Sequence, residues 1–203
     1  MYVFDHLSTE KRAAKATGGV ERRMTEAAVM MAVAHHFIGL QHRLGQAGDV
    51  RIHPDGEHAK QFDISGHLSV MGFEKTAPTG KTKYGGIYNR KSDTITVFPK
   101  SGLGDVCATV GDREFIAECK GGTINSRHGG VLSKTRSGLS ELIGQLMVLE
   151  NNGSRQIAAR PYTAEAERLA RRLCNRCNAA GIEIALVQEN GELTFISSEI
   201  SDA

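Results

Sequence analysis

The sequence predicts an α/β protein with a central mixed sheet and helices packed against it. Two observations predict this class. From residue 138 onward, short apolar runs typical of strands alternate with helical patterns, which favours parallel strands joined by crossover connections. Before them, residues 105–120 carry the pattern of a β-hairpin. The 203 residues are enough for one domain with a sizeable core.

The first 58 residues are predicted to form an N-terminal arm and a long helix that packs on residues 59–203, the two parts making one compact domain. A charged arm is expected at residues 1–19. A helix rich in alanine and methionine is expected from residue 20 to about residue 44. A polar loop then covers residues 49–58.

Three short segments precede the hairpin. Residues 58–73 fit a short helix slightly better than a strand, and residues 76–83 are a turn-rich basic loop. Residues 84–88 give a weak strand pattern. Residues 94–98, which are β-branched and aromatic, give a better one.

The hairpin pattern places two acidic residues opposite each other. Gly111-Asp112 is a two-residue turn signal between two β-rich segments, so Val110 pairs with Arg113. Counting outward, Asp105 lies opposite Glu118, on the same face and with Cβ atoms about 5 Å apart. Two facing carboxylates repel unless a positive charge lies between them. A hard divalent cation held by oxygen ligands is the expected agent.

The other face of the hairpin is apolar at period two, so it should be buried. Its residues are Val106, Ala108, Val110, Phe115, Ala117 and Cys119. Lys120 lies two residues beyond Glu118 and points to the acidic face, beside the expected cation. A solvated surface hairpin with scattered charges is the alternative interpretation.

The last third of the chain alternates helices and strands. A helix is predicted at residues 138–150 and a strand at 156–159. Thr163 caps a helix that ends before Gly181. An apolar strand at 182–187 then forms a hairpin with residues 193–196.

This pattern resembles the PD-(D/E)xK nuclease superfamily. Gly104-Asp105-Val106 matches the PD element, with glycine in place of proline, and Glu118-Cys119-Lys120 matches the (D/E)xK element. The resemblance implies a restriction-endonuclease-like αβββαβ core, a central mixed sheet flanked by helices, over residues 63–195. The first 58 residues would be a helical extension of this nuclease core.

The resemblance also implies roles for site residues. Asp105, Glu118 and the backbone carbonyl of Cys119 would bind Mg²⁺ or Mn²⁺, and Lys120 would hold the attacking water and the phosphate. Members of the superfamily often add an acidic residue from the first helix, for which Glu26 is the candidate and Glu21 the alternative. Glu26 as an exposed acid at a helix N-terminus is an equally good interpretation.

Two further groups are candidates at the same site. Gln145 corresponds to a glutamine that borders the site in many members, although a helix-surface role is equally good. Residues 121–137 are predicted to be a long glycine-rich loop that leaves the sheet just after Lys120. Its basic side chains could hold a phosphate backbone or simply be solvated. They are Arg127, His128, Lys134 and Arg136.

The leading prediction is therefore a Mg²⁺-dependent DNA endonuclease of the restriction or phage-defence kind. The alternatives are a repair, recombination or RNA-directed nuclease, and a nucleic-acid-binding or interaction module that keeps the fold without cleaving. The net charge of +2 permits nucleic-acid binding without demonstrating it. A homodimer or a larger defence complex is compatible with the sequence, which shows no interface.

Composition excludes other classes. No apolar run is long enough to span a bilayer and the first 19 residues are polar, so no membrane association is expected. Four cysteines without an extracellular context are typical of a reducing cytosol, which predicts a cytoplasmic protein. Cys174 and Cys177 form a lone CxxC pair on the apolar stripe of a helix, which favours core packing over a zinc site.

Overall fold

The fold is seen in a computed structural model, which describes residues 7–11, 21–125, 129–149 and 153–197. In these ranges the chain forms five helices and twelve strands. The helices are α1 (Glu26–Arg43), α2 (Gly56–Gln61), α3 (Ile64–Val70), α4 (Gly129–Met147) and α5 (Ala164–Ala179). The strands are β1 (Ser8–Lys11), β2 (Glu21–Met24), β3 (Asp49–Ile52), β4 (Glu74–Ala77), β5 (Gly86–Arg90), β6 (Asp93–Val97), β7 (Val106–Val110), β8 (Arg113–Cys119), β9 (Gly122–Thr123), β10 (Arg155–Pro161), β11 (Ile182–Val187) and β12 (Leu193–Ile196).

Nine of these strands form one mixed sheet in the order β12-β11-β10-β8-β7-β3-β6-β5-β4. β8, β10 and β11 run parallel, joined through α4 and α5, and β3 runs parallel to β6. The other neighbours are antiparallel. A second, three-stranded sheet contains β1, β2 and β9. The predicted class, a mixed α/β fold with helices flanking a large sheet, is confirmed.

Helices cover both faces of the sheet near its centre. Successive residues of β10 show this, because Ile157 and Ala159 belong to the apolar cluster that includes α1, whereas Ala158 belongs to the cluster of α4 and α5. α1 is buried almost all round, from Ala27 through Ala34. α4 contacts β8 and β10, and α5 contacts β11 and β12.

The hairpin and the last three elements agree with prediction. Val110 pairs with Arg113 across Gly111-Asp112, and the apolar residues of the hairpin are buried on the α1 side. Gly111 has a φ of +66°, a value that glycine adopts without strain. Thr163 caps α5 by accepting a hydrogen bond from a backbone N–H at 3.0 Å. β11 and β12 have their predicted bounds.

The predicted long N-terminal helix begins later than expected. Residues 21–24 form β2, which pairs with β1 and β9. Thr25 then caps α1, since its side-chain oxygen accepts a hydrogen bond from the Ala28 N–H at 3.2 Å. The predicted arm at residues 1–19 likewise contains a strand, β1.

The segment between α1 and the hairpin is also more ordered than predicted. The polar loop expected at 49–58 contains β3 and the start of α2, and residues 58–73 hold α3 as well as the end of α2. The basic loop expected at 76–83 begins inside β4. β3 has only two apolar residues, Val50 and Ile52, and so short a pattern does not distinguish a strand from a loop.

The predicted long loop at 121–137 is wrong. β9 and the first half of α4 lie within it, because α4 begins at Gly129 rather than near Gly138. Glycines at 129, 130 and 138 lower the helix propensity of this half and conceal it in the sequence. In the part of the chain that the structure describes, no helix is long and apolar enough to cross a bilayer.

Candidate active site

Two acidic side chains meet at the end of the hairpin. Val106 pairs with Ala117, so the next pair outward brings Asp105 opposite Glu118 as predicted. The two carboxyl groups are hydrogen-bonded to each other. Asp105 Oδ2 also accepts a hydrogen bond from the Cys119 N–H at 2.7 Å. The pair is therefore held by β8 itself.

Burial dominates the electrostatics of the acid pair. Burial, and after it the charge of Glu118, raises the pKa of Asp105 to about 8. Burial also raises the pKa of Glu118, an effect that its hydrogen bond with Asp105 partly opposes. At neutral pH the two groups consequently share a proton. A cation that replaced this proton would relieve the repulsion between them.

Gly104, next to Asp105, packs closely against β8. A Cβ atom at this position would lie 2.6 Å from Ile116 Cγ2 and 3.7 Å from Glu118 Oε1. The first distance is well below van der Waals contact. Glycine at position 104 thus has a packing reason in this chain.

Lys120 lies beside the pair, just after β8. Its backbone N–H donates to the Ala159 carbonyl at 3.0 Å. Its Nζ donates to Glu141 Oε1 at 2.7 Å and lies 4.0 Å from Glu26 Oε2. Burial lowers the pKa of Lys120, but the hydrogen bond to Glu141 and the charges of Glu26 and Glu141 outweigh it and leave the pKa above its ordinary value. Lys120 is therefore an ammonium ion.

Glu26 reaches the site from the N-terminus of α1. Its charge raises the pKa of both paired acids, so it is in electrostatic contact with them. Gly121 permits this approach, since a Cβ atom there would lie 2.7 Å from Glu26 N and 2.8 Å from Met24 O. The side chain of Glu21, the alternative candidate, is outside the described part of the structure.

Glu141 is a site residue that sequence reasoning missed. It lies on α4, one turn after Gly138, whose Cβ position is 3.7 Å from Lys120 Cγ. Both positions therefore face Lys120 from one side of the helix. In the sequence, the spacing of Gly138 and Glu141 in the helix after Lys120 could have indicated that Glu141 faces the lysine.

Arg160 is the second residue that was missed. It lies on β10, it is 3% exposed, and its Nη1 donates to the Thr135 carbonyl. Gly138 lies close to both Arg160 and Lys120. A Cβ atom at position 138 would be 3.6 Å from Arg160 Nη1. Among the described residues its Nε has no partner. Burial lowers the pKa of Arg160 to about 10, so the guanidinium stays charged at neutral pH.

Of the remaining candidates, the three that the structure describes are exposed on α4. Gln145 is exposed on α4, and its side chain makes no hydrogen bond to any described residue. Lys134 and Arg136 are exposed on α4, where Arg136 Nη2 lies 3.2 Å from Glu165 Oε1. Arg127 and His128 fall outside the described residues.

The acid pair supplies ligands of one chemical type. Carboxylate oxygens alone favour a hard cation such as Mg²⁺ or Mn²⁺ over zinc. Within the described ranges, no three His, Cys, Asp or Glu residues are grouped so as to hold a metal. The side chain of Cys119 is buried on the α1 side, which leaves only its backbone to face the pair. Two protein carboxylates with open coordination positions fit an ion that retains water.

Comparison with protein-family models, with curated proteins and with solved structures finds no match to this chain. The PD-(D/E)xK resemblance therefore depends on the motif residues alone. Function is inferred from the arrangement of Asp105, Glu118 and Lys120 and of the charged residues around them.

Proposed function

We propose that the protein is a metal-dependent endonuclease that hydrolyses DNA phosphodiester bonds, of the restriction or phage-defence type. The observation that carries the proposal is the half-buried, opposed pair Asp105 and Glu118 with the Lys120 ammonium two residues further on. Placing two acids together in a half-buried position is unfavourable, and no structural need for them is evident in a hairpin whose other face is apolar.

The sheet supports the finer part of the proposal, a restriction-endonuclease-like core. α1, β3, β7, β8, α4 and β10 follow one another in the chain, with α2, α3 and β4 to β6 inserted after β3 and the two-residue β9 after β8. β3, β7 and β8 are antiparallel neighbours, and β10 is parallel to β8. This is the helix, three strands, helix, strand order that the superfamily resemblance implies.

In the proposed reaction Asp105 and Glu118 would hold Mg²⁺ through their oxygens, with the Cys119 carbonyl as the ligand that the resemblance adds. Such an ion, when bound, would supply water activation and charge neutralisation at the phosphate. The Lys120 ammonium binds a phosphate oxygen and opposes the charge that builds up there. Its raised pKa makes it a poor proton acceptor, so positioning and charge stabilisation are its tasks.

Glu141 and Glu26 keep the ammonium in place before substrate binds. The Glu141 carboxylate accepts a hydrogen bond from Lys120 Nζ, and Glu26 lies slightly further away. A phosphate oxygen that bound Lys120 would replace Glu141 as the acceptor. Glu141 thus orients the lysine without contacting the reacting atoms.

Plasmid cleavage tests the proposal. We expect Asp105→Ala, Glu118→Ala and Lys120→Ala each to lower Mg²⁺-dependent nicking by at least a hundredfold, because each removes a cation ligand or the phosphate-binding charge. Circular dichroism should be unchanged, and EDTA should abolish cleavage by the wild type. Parallel assays on single-stranded DNA, branched DNA and RNA identify the substrate class.

Glu114→Ala is the matched control. Glu114 lies on the same strand β8, at the other end, where it pairs with Arg51 at 3.8 Å. This variant should cleave at the wild-type rate. Cleavage retained by Glu118→Ala, or lost equally in Glu114→Ala, would contradict the assignment.

A further inference from the structure

A groove of about 470 Å³ lies between α4 and α5. Arg136 and Ser140 line it from α4, and α5 contributes two leucines and two arginines. They are Leu169, Arg172, Leu173 and Arg176. The three arginines are exposed and the two leucines are half-buried. The groove therefore has an apolar floor and cationic walls, and no acidic residue lines it.

Two of these arginines lack a partner among the described residues, although Arg176 lies in the last turn of α5, where the helix dipole favours a cation. Arg172 and Arg176 are four residues apart on α5 and point to the same side, an arrangement that destabilises a helix when both charges are alike. Within the described residues neither guanidinium has an ion-pair or hydrogen-bond partner. Arg168 and Arg171 on the same helix differ, since they bind glutamates of α5 at 2.5 and 2.7 Å.

The groove is close to the candidate active site. Gly138 and Glu141 face Lys120 from one flank of α4. Arg136 is two residues before Gly138, a rotation of about 200° around the helix, so it lies on the other flank. Only α4 separates the two places, and a helix is about 10–12 Å thick. At 3.4 Å per base pair this corresponds to about three base pairs.

We propose that the groove binds the phosphate backbone of the nucleic acid beside the scissile bond. Arg172 and Arg176 contact phosphates through their guanidinium groups, and Arg136 does so from the opposite wall. Leu169 and Leu173 pack against the sugars. The inference rests on the proposed nuclease function and assigns the substrate a path from Lys120 across α4.

Nucleic acid is favoured over an acidic protein as the occupant. The groove begins about one helix diameter from the proposed phosphate site, so one continuous polyanion reaches both places. Unpaired arginines that carry a stability cost are expected where a ligand of opposite charge neutralises them. Binding of an acidic polypeptide in the groove is an alternative outcome that the test distinguishes.

The test is the affinity of a double variant, Arg172→Gln/Arg176→Gln, for a 30-base-pair duplex in Ca²⁺. The dissociation constant is measured across a salt series. We expect binding at least tenfold weaker than in the wild type. Because each lost phosphate contact lowers the slope of log K against log salt by about 0.9, we expect the slope to fall by about 2. In Mg²⁺ the KM for cleavage should rise in parallel while kcat is retained.

Arg168→Gln/Arg171→Gln is the matched control, because it removes the same charge from the same helix. It should bind the duplex within about threefold of the wild type, the modest general electrostatic effect. Equal losses of duplex affinity in the two double variants would overturn the inference. An unchanged affinity and salt slope in Arg172→Gln/Arg176→Gln would also overturn it. Polyglutamate that competes as well as DNA at equal charge would also overturn it.

The two proposals fail in distinguishable ways. If Arg172→Gln/Arg176→Gln binds normally while the wild type cleaves DNA, the groove inference is wrong and the nuclease proposal stands. If the groove variant loses DNA binding but the wild type does not cleave under any condition, the groove inference stands and the nuclease proposal is wrong.

Discussion

Asp105 and Glu118 face each other, half-buried, at the open end of the hairpin, and their shared proton keeps this arrangement tolerable without a cation. The proposed function requires the site to accept positive charge at this one point. Lys120 does not fill that role, because its Nζ is bound to Glu141. The proposal therefore links cation binding, proton release and stability at the acid pair.

The stability of the protein without metal should depend on pH through Asp105. Its pKa is about 8 in the folded state against an ordinary value of 3.8, so the folded state binds more protons than the unfolded state between these values. The free energy of unfolding in EDTA should then fall as the pH rises from about 5 to about 8. Thermal unfolding at a series of pH values measures this.

Asp105→Asn should flatten that dependence, because the amide replaces the protonated acid without titrating. The melting temperature of the variant at pH 8 should exceed that of the wild type in EDTA. Asp112→Asn, in the exposed hairpin turn, is the control and should follow the wild type. A wild-type melting temperature that does not fall with pH would exclude the shared proton.

At the scale of single elements, the hairpin was predictable and its surroundings were not. Gly111-Asp112 and the alternating residues on each side fix the register locally, so the positions of Asp105 and Glu118 followed from the sequence. The first half of α4 was missed because its glycines suggest a loop. Glu141 lies within the predicted helix at 138–150 but was not assigned to the site, and Arg160 lies one residue beyond the predicted strand at 156–159.

Close contact between the end of β8 and the start of α1 should depend on Gly121. A Cβ atom there would lie within 3 Å of backbone atoms of Met24, Thr25 and Glu26, and backbone cannot move aside as a side chain can. Gly121→Ala should therefore lower the free energy of unfolding by about 1–3 kcal/mol. It should also displace Glu26 from Lys120 and lower cleavage.

Gly144→Ala is the matched control for this prediction. Gly144 lies within α4, and a Cβ atom there meets nothing within 4 Å. Alanine should raise the free energy of unfolding by about 1 kcal/mol, since it is the better helix former. Chemical denaturation measures the free energy of unfolding of both variants. A change of the same sign and size in the two variants would contradict the close packing at Gly121.

At the scale of the whole molecule, the sheet order places the site and could not be derived from the sequence. β3 lies between β7 and β6, although more than fifty residues separate it from β7. Such pairing depends on burial of Val50 and Ile52 against distant strands rather than on local propensity. The alternation of helices and strands did predict the parallel β8, β10 and β11, because each connection contains its own helix.

The whole arrangement brings the proposed cation site, Lys120 and the basic groove to the same region of the protein. α4 connects them, since it contributes Glu141 to Lys120 and Arg136 to the groove. The same helix packs on β8 and β10. A single helix therefore positions the charges that would bind the substrate on both sides of the scissile bond.

Calorimetric titration of Mn²⁺ at pH 7 tests the central claim most directly. We predict one binding site in the wild type, with release of about one proton per ion, because the ion displaces the proton that Asp105 and Glu118 share. Glu118→Gln should lose this binding and its proton release, while Glu114→Gln should keep both. Absence of binding in the wild type, or equal binding by Glu118→Gln, would contradict a cation held between the two acids.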